Sequence, residues 1–121
     1  MQQIYGLPAI HIYVVEIVRK RLSDKIPSQR MLYIGILTTI AALKNQGKTP
    51  TMQSVAELSG LGYPNVTRYC KTLFDVGILE KTPINTPSGK GYAYELSFAK
   101  TPELYDIVLN HILDTPPGKR R

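Results

Sequence analysis

Between Tyr63 and Thr72 the chain reads YPNVTRYCKT. Tyr63, Asn65, Thr67, Arg68, Lys71 and Thr72 bring phenol, amide, hydroxyl, guanidinium and ammonium groups, while Val66, Tyr69, Cys70 and Leu73 recur at i, i+3, i+4 and i+7, the spacing of one apolar helix face. The polar residues lie off that face. A helix that buries one side and offers donors, hydroxyls and cations on the other suits the major groove of duplex DNA, where each base pair presents a distinct pattern of polar edges. Arg68 is the best candidate for reading guanine, because its planar fork can bond O6 and N7 together.

Other chemistry has little to build on. The two histidines, His11 and His111, fall in no nucleophile or metal motif. Paired carboxylates and a Gly-rich phosphate loop after a strand are absent from the sequence. Cys70, the one cysteine, allows no intrachain disulfide and no thiolate metal cluster. Its place on the apolar face makes it a buried, inert thiol rather than a nucleophile. His11 stands among apolar neighbours with no ligand partner at i+4, so a packed or interfacial histidine is expected. No catalytic residue, metal or cofactor is expected, and the chain reads as a non-enzyme.

At 121 residues the chain can form one domain with a substantial core, and 43% apolar against 20% charged residues is a globular balance. A net charge of +6, from 15 Lys and Arg against 9 Asp and Glu, favours polyanionic partners. The sign is unevenly spread: residues 1–50 carry seven cations and two anions, whereas residues 51–98 carry four of each. The candidate groove-binding segment is thus neutral as a whole, and only segregation of sign in three dimensions would make it attractive to DNA. Neither long apolar run resembles a signal peptide or is long enough to span a bilayer, so a soluble, cytoplasmic protein that does not enter membranes is expected.

The elements that must position these residues follow from punctuation and period. Residues 1–6 read as a loose or lightly docked arm. A first helix over 8–22 opens on Pro8 and has two apolar stripes, Ile10, Val14 and Ile17 beside Ile12, Val15, Val18 and Leu22. Its basic end, Arg19, Lys20 and Arg21 with Lys25 following, either complements the helix dipole or touches phosphate. Ser28 is a plausible N-cap for a second, central helix ending near Asn45. Thr51 caps a third helix over 52–59, Gly60-Leu61-Gly62 ends it, and a fourth helix runs from 63 to 76 with Gly77 as its stop. Residues 78–98 read as a hairpin: a strand from Ile78, a Pro/Asn/Ser/Gly-rich loop, and an alternating strand with Tyr92, Tyr94, Leu96 and Phe98 on one face. Thr101-Pro102-Glu103 starts a last helix over 102–113, and 115–121 read as a disordered basic tail. The fold class is mainly α with a small β-hairpin, as one domain over 1–114.

Ala56, Gly60, Val66 and Tyr69 match the spacing of a helix-turn-helix over 51–76, with a small residue where the helices cross and glycine where the turn needs a left-handed conformation. Followed by Gly77-Ile78-Leu79-Glu80-Lys81, a hairpin and a further helix, this order of elements resembles the winged helix-turn-helix transcriptional regulators, especially dimeric MarR-like and similar archaeal or bacterial repressors. Val55 to Leu61, Asn65-Val66-Thr67-Arg68 and Leu73 carry the resemblance along with Gly77 to Lys81. It implies that 63–76 is a recognition helix whose Tyr63, Pro64, Thr67, Arg68 and Lys71 face the groove, with Asn65 in the first turn able to contact a base or a phosphate. It also implies that 83–91 is a wing, and that Lys81, Ser88 and Lys90 contact phosphate or the minor groove. Unlike many members of the family, the wing has no arginine.

The two-striped terminal helices point to a homodimer in which a partner chain covers Ile10, Val14 and Ile17 on the first helix and Tyr105, Leu109, Ile112 and Leu113 on the last. Two recognition helices would then meet half-sites about 34–36 Å apart in a palindromic operator. The alternatives are a winged-helix module for protein contact, favoured by the neutral charge of 51–98, and a replication or partition accessory protein with the same DNA-binding physics.

Overall fold

The computed structural model describes residues 2–84 and 93–114, with side chains from Ile4 to Ile84 and from Ala93 to Asn110. A 3₁₀ turn at Gln2–Gly6 precedes α1 (Ala9–Arg21), α2 (Pro27–Asn45), α3 (Met52–Ser59), α4 (Tyr63–Asp75), β1 (Leu79–Ile84), β2 (Ala93–Phe98) and α5 (Pro102–Asp114). The protein is thus mainly helical with one small antiparallel hairpin.

Local chemistry explains the boundaries. Pro27 stands in the first turn of α2 behind an extended Ile26, so the helix begins ahead of Ser28, which is not its cap as the sequence suggested. The helix ends on Gly47, at φ 76°, where Gly47 N–H donates to Lys44 O at 3.0 Å and Lys48 N–H to Leu43 O at 2.9 Å. These bonds satisfy carbonyls that the helix leaves unpaired. The same device ends α4 at Gly77, with Ile78 N–H on Leu73 O at 2.9 Å. Thr51 caps α3 reciprocally: its hydroxyl accepts from Ser54 N–H at 3.1 Å and its own N–H donates to Ser54 Oγ at 2.7 Å.

α2 runs through the core, where Ile36, Leu37 and Ile40 are completely buried. Around it close Ile17 and Val18 of α1, Val55 of α3, Val66, Cys70 and Leu73 of α4, Ile78 at the hairpin's base and Leu96 of β2. β1 and β2 pair from Leu79 opposite Phe98 to Ile84 opposite Ala93. The hairpin is tied back by Leu96 N–H on Pro50 O and Ala99 N–H on Ile78 O, each at 2.8 Å. Leu96 and Phe98 point into the core and Tyr94 is half-buried. Tyr92, expected on the same face, lies outside the described residues.

The N-terminal residues are not a loose arm. Tyr5 is buried, its ring centroid lies 5.0 Å from that of Phe98, and its hydroxyl accepts a hydrogen bond from Phe98 N–H at 3.0 Å. Lys44 Nζ stands 5.3 Å from the Tyr5 ring and reaches Glu95 and Ser97 Oγ at 2.8 Å each. The turn is therefore part of the core and seals the end of β2 against α2.

α1 also differs from expectation. Ile10, Val14 and Ile17 are 3%, 2% and 0% exposed inside this chain's own core, so they offer no surface to a partner. Of the second stripe, Val18 and Leu22 are buried as well, and only Ile12 and Val15 face outward, 59% and 47% exposed. α1 packs against both α2 and α5, and those neighbours decide which of its apolar residues are covered.

Candidate nucleic-acid interface

α4 separates its two chemistries cleanly. Val66, Cys70 and Leu73 are fully buried, and Tyr69 packs edge-on against the buried Tyr33 at 5.2 Å between centroids. Tyr63, Pro64, Asn65, Thr67, Arg68 and Lys71 are exposed, while Thr72 is only half so. The turn before α4 is made by Gly60 at φ 80°, a left-handed conformation that strains any residue with a Cβ. Pro64 costs nothing in the first turn of α4, where its missing N–H had no helical partner.

Several exposed groups are already held by short-range bonds. Arg68 Nη2 donates to Asn65 Oδ1 at 3.1 Å, and its guanidinium lies 5.2 Å from the Tyr69 ring centroid. This bond uses the amide oxygen of Asn65 and leaves its NH₂ available. Thr67 Oγ1 donates to Tyr63 O at 3.0 Å, so its oxygen faces outward as an acceptor.

The hairpin brings one more cation to this face. Lys81 Nζ sits 4.7 Å from the Tyr94 ring centroid and 5.2 Å from that of Phe74, an aromatic bracket that limits where the ammonium can go. A cleft of 390 Å³ joins Tyr63 and Thr67 of α4 to Lys81 and Tyr94 of the hairpin and to Thr51 and Gln53 at the start of α3. The structure thus gathers Tyr63, Thr67 and Lys81 into one concave face with Arg68 and Lys71 further along α4, while Ser88 and Lys90 lie outside the described residues. Gln53 and Tyr94 join this face without having been expected there. Gln53 was legible as a polar residue in the first turn of the capped α3; Tyr94 looked like core because it alternates with Leu96 and Phe98.

Asp75 closes α4 four residues beyond Lys71 and seven beyond Arg68, about 6 and 10 Å along the axis at 1.5 Å per residue. Glu57 on α3 lies beside Gln53 and Tyr63 and accepts from Gln53 Nε2 at 3.3 Å.

The basic end of α1 has another use. Arg21 Nη1 donates to Val76 O at 3.0 Å and to Gly77 O at 3.3 Å, while Nη2 donates to Glu103 at 3.1 Å. Lys20 pairs with the same Glu103 at 3.1 Å, Arg19 with Glu16 and Lys25 with Asp24. Arg21 therefore caps the far end of α4, and the cations that sequence offered to the helix dipole or to phosphate all meet partners within the chain. The carboxyl of Glu103 is held below its ordinary range by a bond from its own backbone N–H, with help from Lys20 and Arg21.

Of the remaining residues with reactive potential, Cys70 is wholly enclosed, and burial pushes its thiol up to about 12, so it stays protonated. His11 is exposed on the outer side of α1 rather than packed within the chain. Among the described residues no three His, Cys, Asp or Glu side chains gather closely enough to hold a metal ion. Nor is any described helix long and apolar enough to cross a membrane.

Tyr105 and Leu109, expected at a dimer contact, are 63% and 54% exposed on α5; the side chains of Ile112 and Leu113 lie outside the described set. No family model matches the chain, and neither a curated protein nor a solved structure does.

Proposed function

We propose that this chain binds double-stranded DNA as a winged helix-turn-helix protein, with α3 and α4 as the helix-turn-helix and the hairpin as the wing. The observation that carries the reading is the polarity of α4: three fully buried residues on one side, and Tyr63, Asn65, Thr67, Arg68 and Lys71 exposed on the other, with Lys81 beside them. Arg68 reads a base edge, while Lys81 and Lys71 neutralise phosphate. A homodimer joined through Tyr105 and Leu109 of α5 would set two such helices on successive turns of a palindromic operator, as a cytoplasmic transcriptional regulator would require.

The test is selection of bound fragments from a random duplex pool, followed by titration of the winning site. Arg68→Ala should lose about 1–3 kcal/mol on that site and relax its preference. Lys81→Ala should weaken all sequences alike and reduce the salt dependence by about one unit of slope. Failure to enrich any sequence, together with no binding at low salt, would overturn the reading.

A further inference from the structure

The proposed DNA interface and the α5 contact leave one conspicuous surface unused. α1 and α2 pack against each other, and residues of both line a groove of 250 Å³: Val15, Val18, Arg19, Arg30, Met31 and Ile34. Two of its lining residues are large apolar side chains left exposed, Val15 at 47% and Met31 at 65%, and Ile12, one turn before Val15, and Ile26, next to the lining Pro27, are each 59% exposed. Isolated exposed apolar residues are ordinary, but a cluster along one groove marks a contact surface.

We infer that this groove docks an acidic amphipathic helix of another protein. The floor is apolar, and the flexible thioether of Met31 adapts to varied side chains. Its rim carries spare positive charge at Arg30, which has no carboxylate partner among the described residues, while Arg19, also lining the groove, is already bonded to Glu16. Gly35 lies one turn beyond Met31 and beside Ile34, exposed, with nothing within 4 Å of where a Cβ would stand. A mid-helix glycine costs stability relative to alanine, and here it leaves room for a second backbone to approach. A helix presenting apolar anchors at i, i+3 or i+4, and i+7, flanked by Asp or Glu, matches this surface. A second copy of the chain fits it less well, because the groove lining offers no carboxylate to meet a second copy's Arg30.

The experiment is selection of a randomised helical peptide library on the full chain, repeated on Met31→Glu. Met31 is exposed, so this variant should keep the wild-type circular dichroism and melting temperature. Peptides that bind the wild type but not Met31→Glu should carry the apolar spacing with Asp and Glu outnumbering Lys and Arg, and Arg30→Glu should weaken them about tenfold. DNA binding by Met31→Glu should be unchanged, which separates this inference from the proposed function. The inference is overturned if no Met31-dependent peptide emerges, or if those that do are neutral or basic. It is also overturned if Met31→Glu changes the sedimentation of the chain alone, which would assign the groove to a second copy.

Discussion

Replacing Arg21 with methionine keeps most of the side chain's apolar stem and removes the guanidinium that ties α1 to the end of α4 and the start of α5. Two donors are lost to the Val76 and Gly77 carbonyls, at 3.0 and 3.3 Å, along with the pair to Glu103. A buried hydrogen bond from a charged donor contributes about 1.5–3 kcal/mol. Arg21 is 27% exposed and Glu103 22%, so the ion pair is discounted for screening and the lower end applies to the carbonyls. The total is about 2 kcal/mol, which for a domain of this size lowers Tm by about 8 °C. Lys20→Met is the control, because Lys20 pairs with the same carboxylate at 3.1 Å but is 65% exposed; its cost should stay within about 0.5 kcal/mol. Thermal melts of both variants against the wild type decide the matter. Equal losses would refute the view that Arg21 acts through the carbonyls at the end of α4, since the two variants share the Glu103 partner and differ in those bonds.

Three further outcomes are expected. Because the folded Glu103 carboxyl binds its proton more weakly than the ordinary value of 4.5, its contribution is complete above that pH and lost as pH falls through the lowered value; acid melts of Glu103→Gln should lack this part of the decline. At pH 8 a thiol at about 12 is thiolate in roughly one molecule in ten thousand, against about a quarter for an ordinary thiol near 8.5. Cys70 should therefore react with a disulfide reagent at least about a thousandfold more slowly in the native chain than in urea, and fast native labelling would contradict its burial. Tyr5→Ala should cost about 3–5 kcal/mol in chemical denaturation, and Tyr5→Phe about 1–2 kcal/mol through the stranded Phe98 N–H.

Features set by neighbouring residues were legible in sequence. The start of α3 at Met52 follows from Thr51, its end from Gly60, and the burial pattern of α4 from the spacing of Val66, Cys70 and Leu73. The helical start at Pro102 follows from Thr101, whose hydroxyl accepts from Leu104 N–H at 3.1 Å. Features set by distant partners were not. α1 carries two apolar stripes, and period alone cannot say that the first will be wholly buried while the second is buried only at Val18 and Leu22 and left open at Ile12 and Val15; that outcome depends on its neighbours α2 and α5. Tyr5 stands in a short stretch with no period, and its partners are Lys44 and Phe98. Arg21 looked like one more cation at a helix end because the carbonyls it meets are 55 and 56 residues away. In the candidate site, α4's own residues could be picked out, whereas the cleft that adds Gln53 and Tyr94 exists only once the hairpin has folded back.

The bond between Tyr5 and Phe98 spans 93 residues, and that separation sets an order of events on the ribosome. At about 5–20 residues per second, roughly 5–20 s pass between the synthesis of Tyr5 and that of its partner. During that interval α1 and α2 can pair, but the phenol beside them has no Phe98 to meet. Closure of the core at this corner therefore waits until β2 has emerged. A nascent chain halted before β2 should leave its first residues open to proteases, and one released after β2 should protect them.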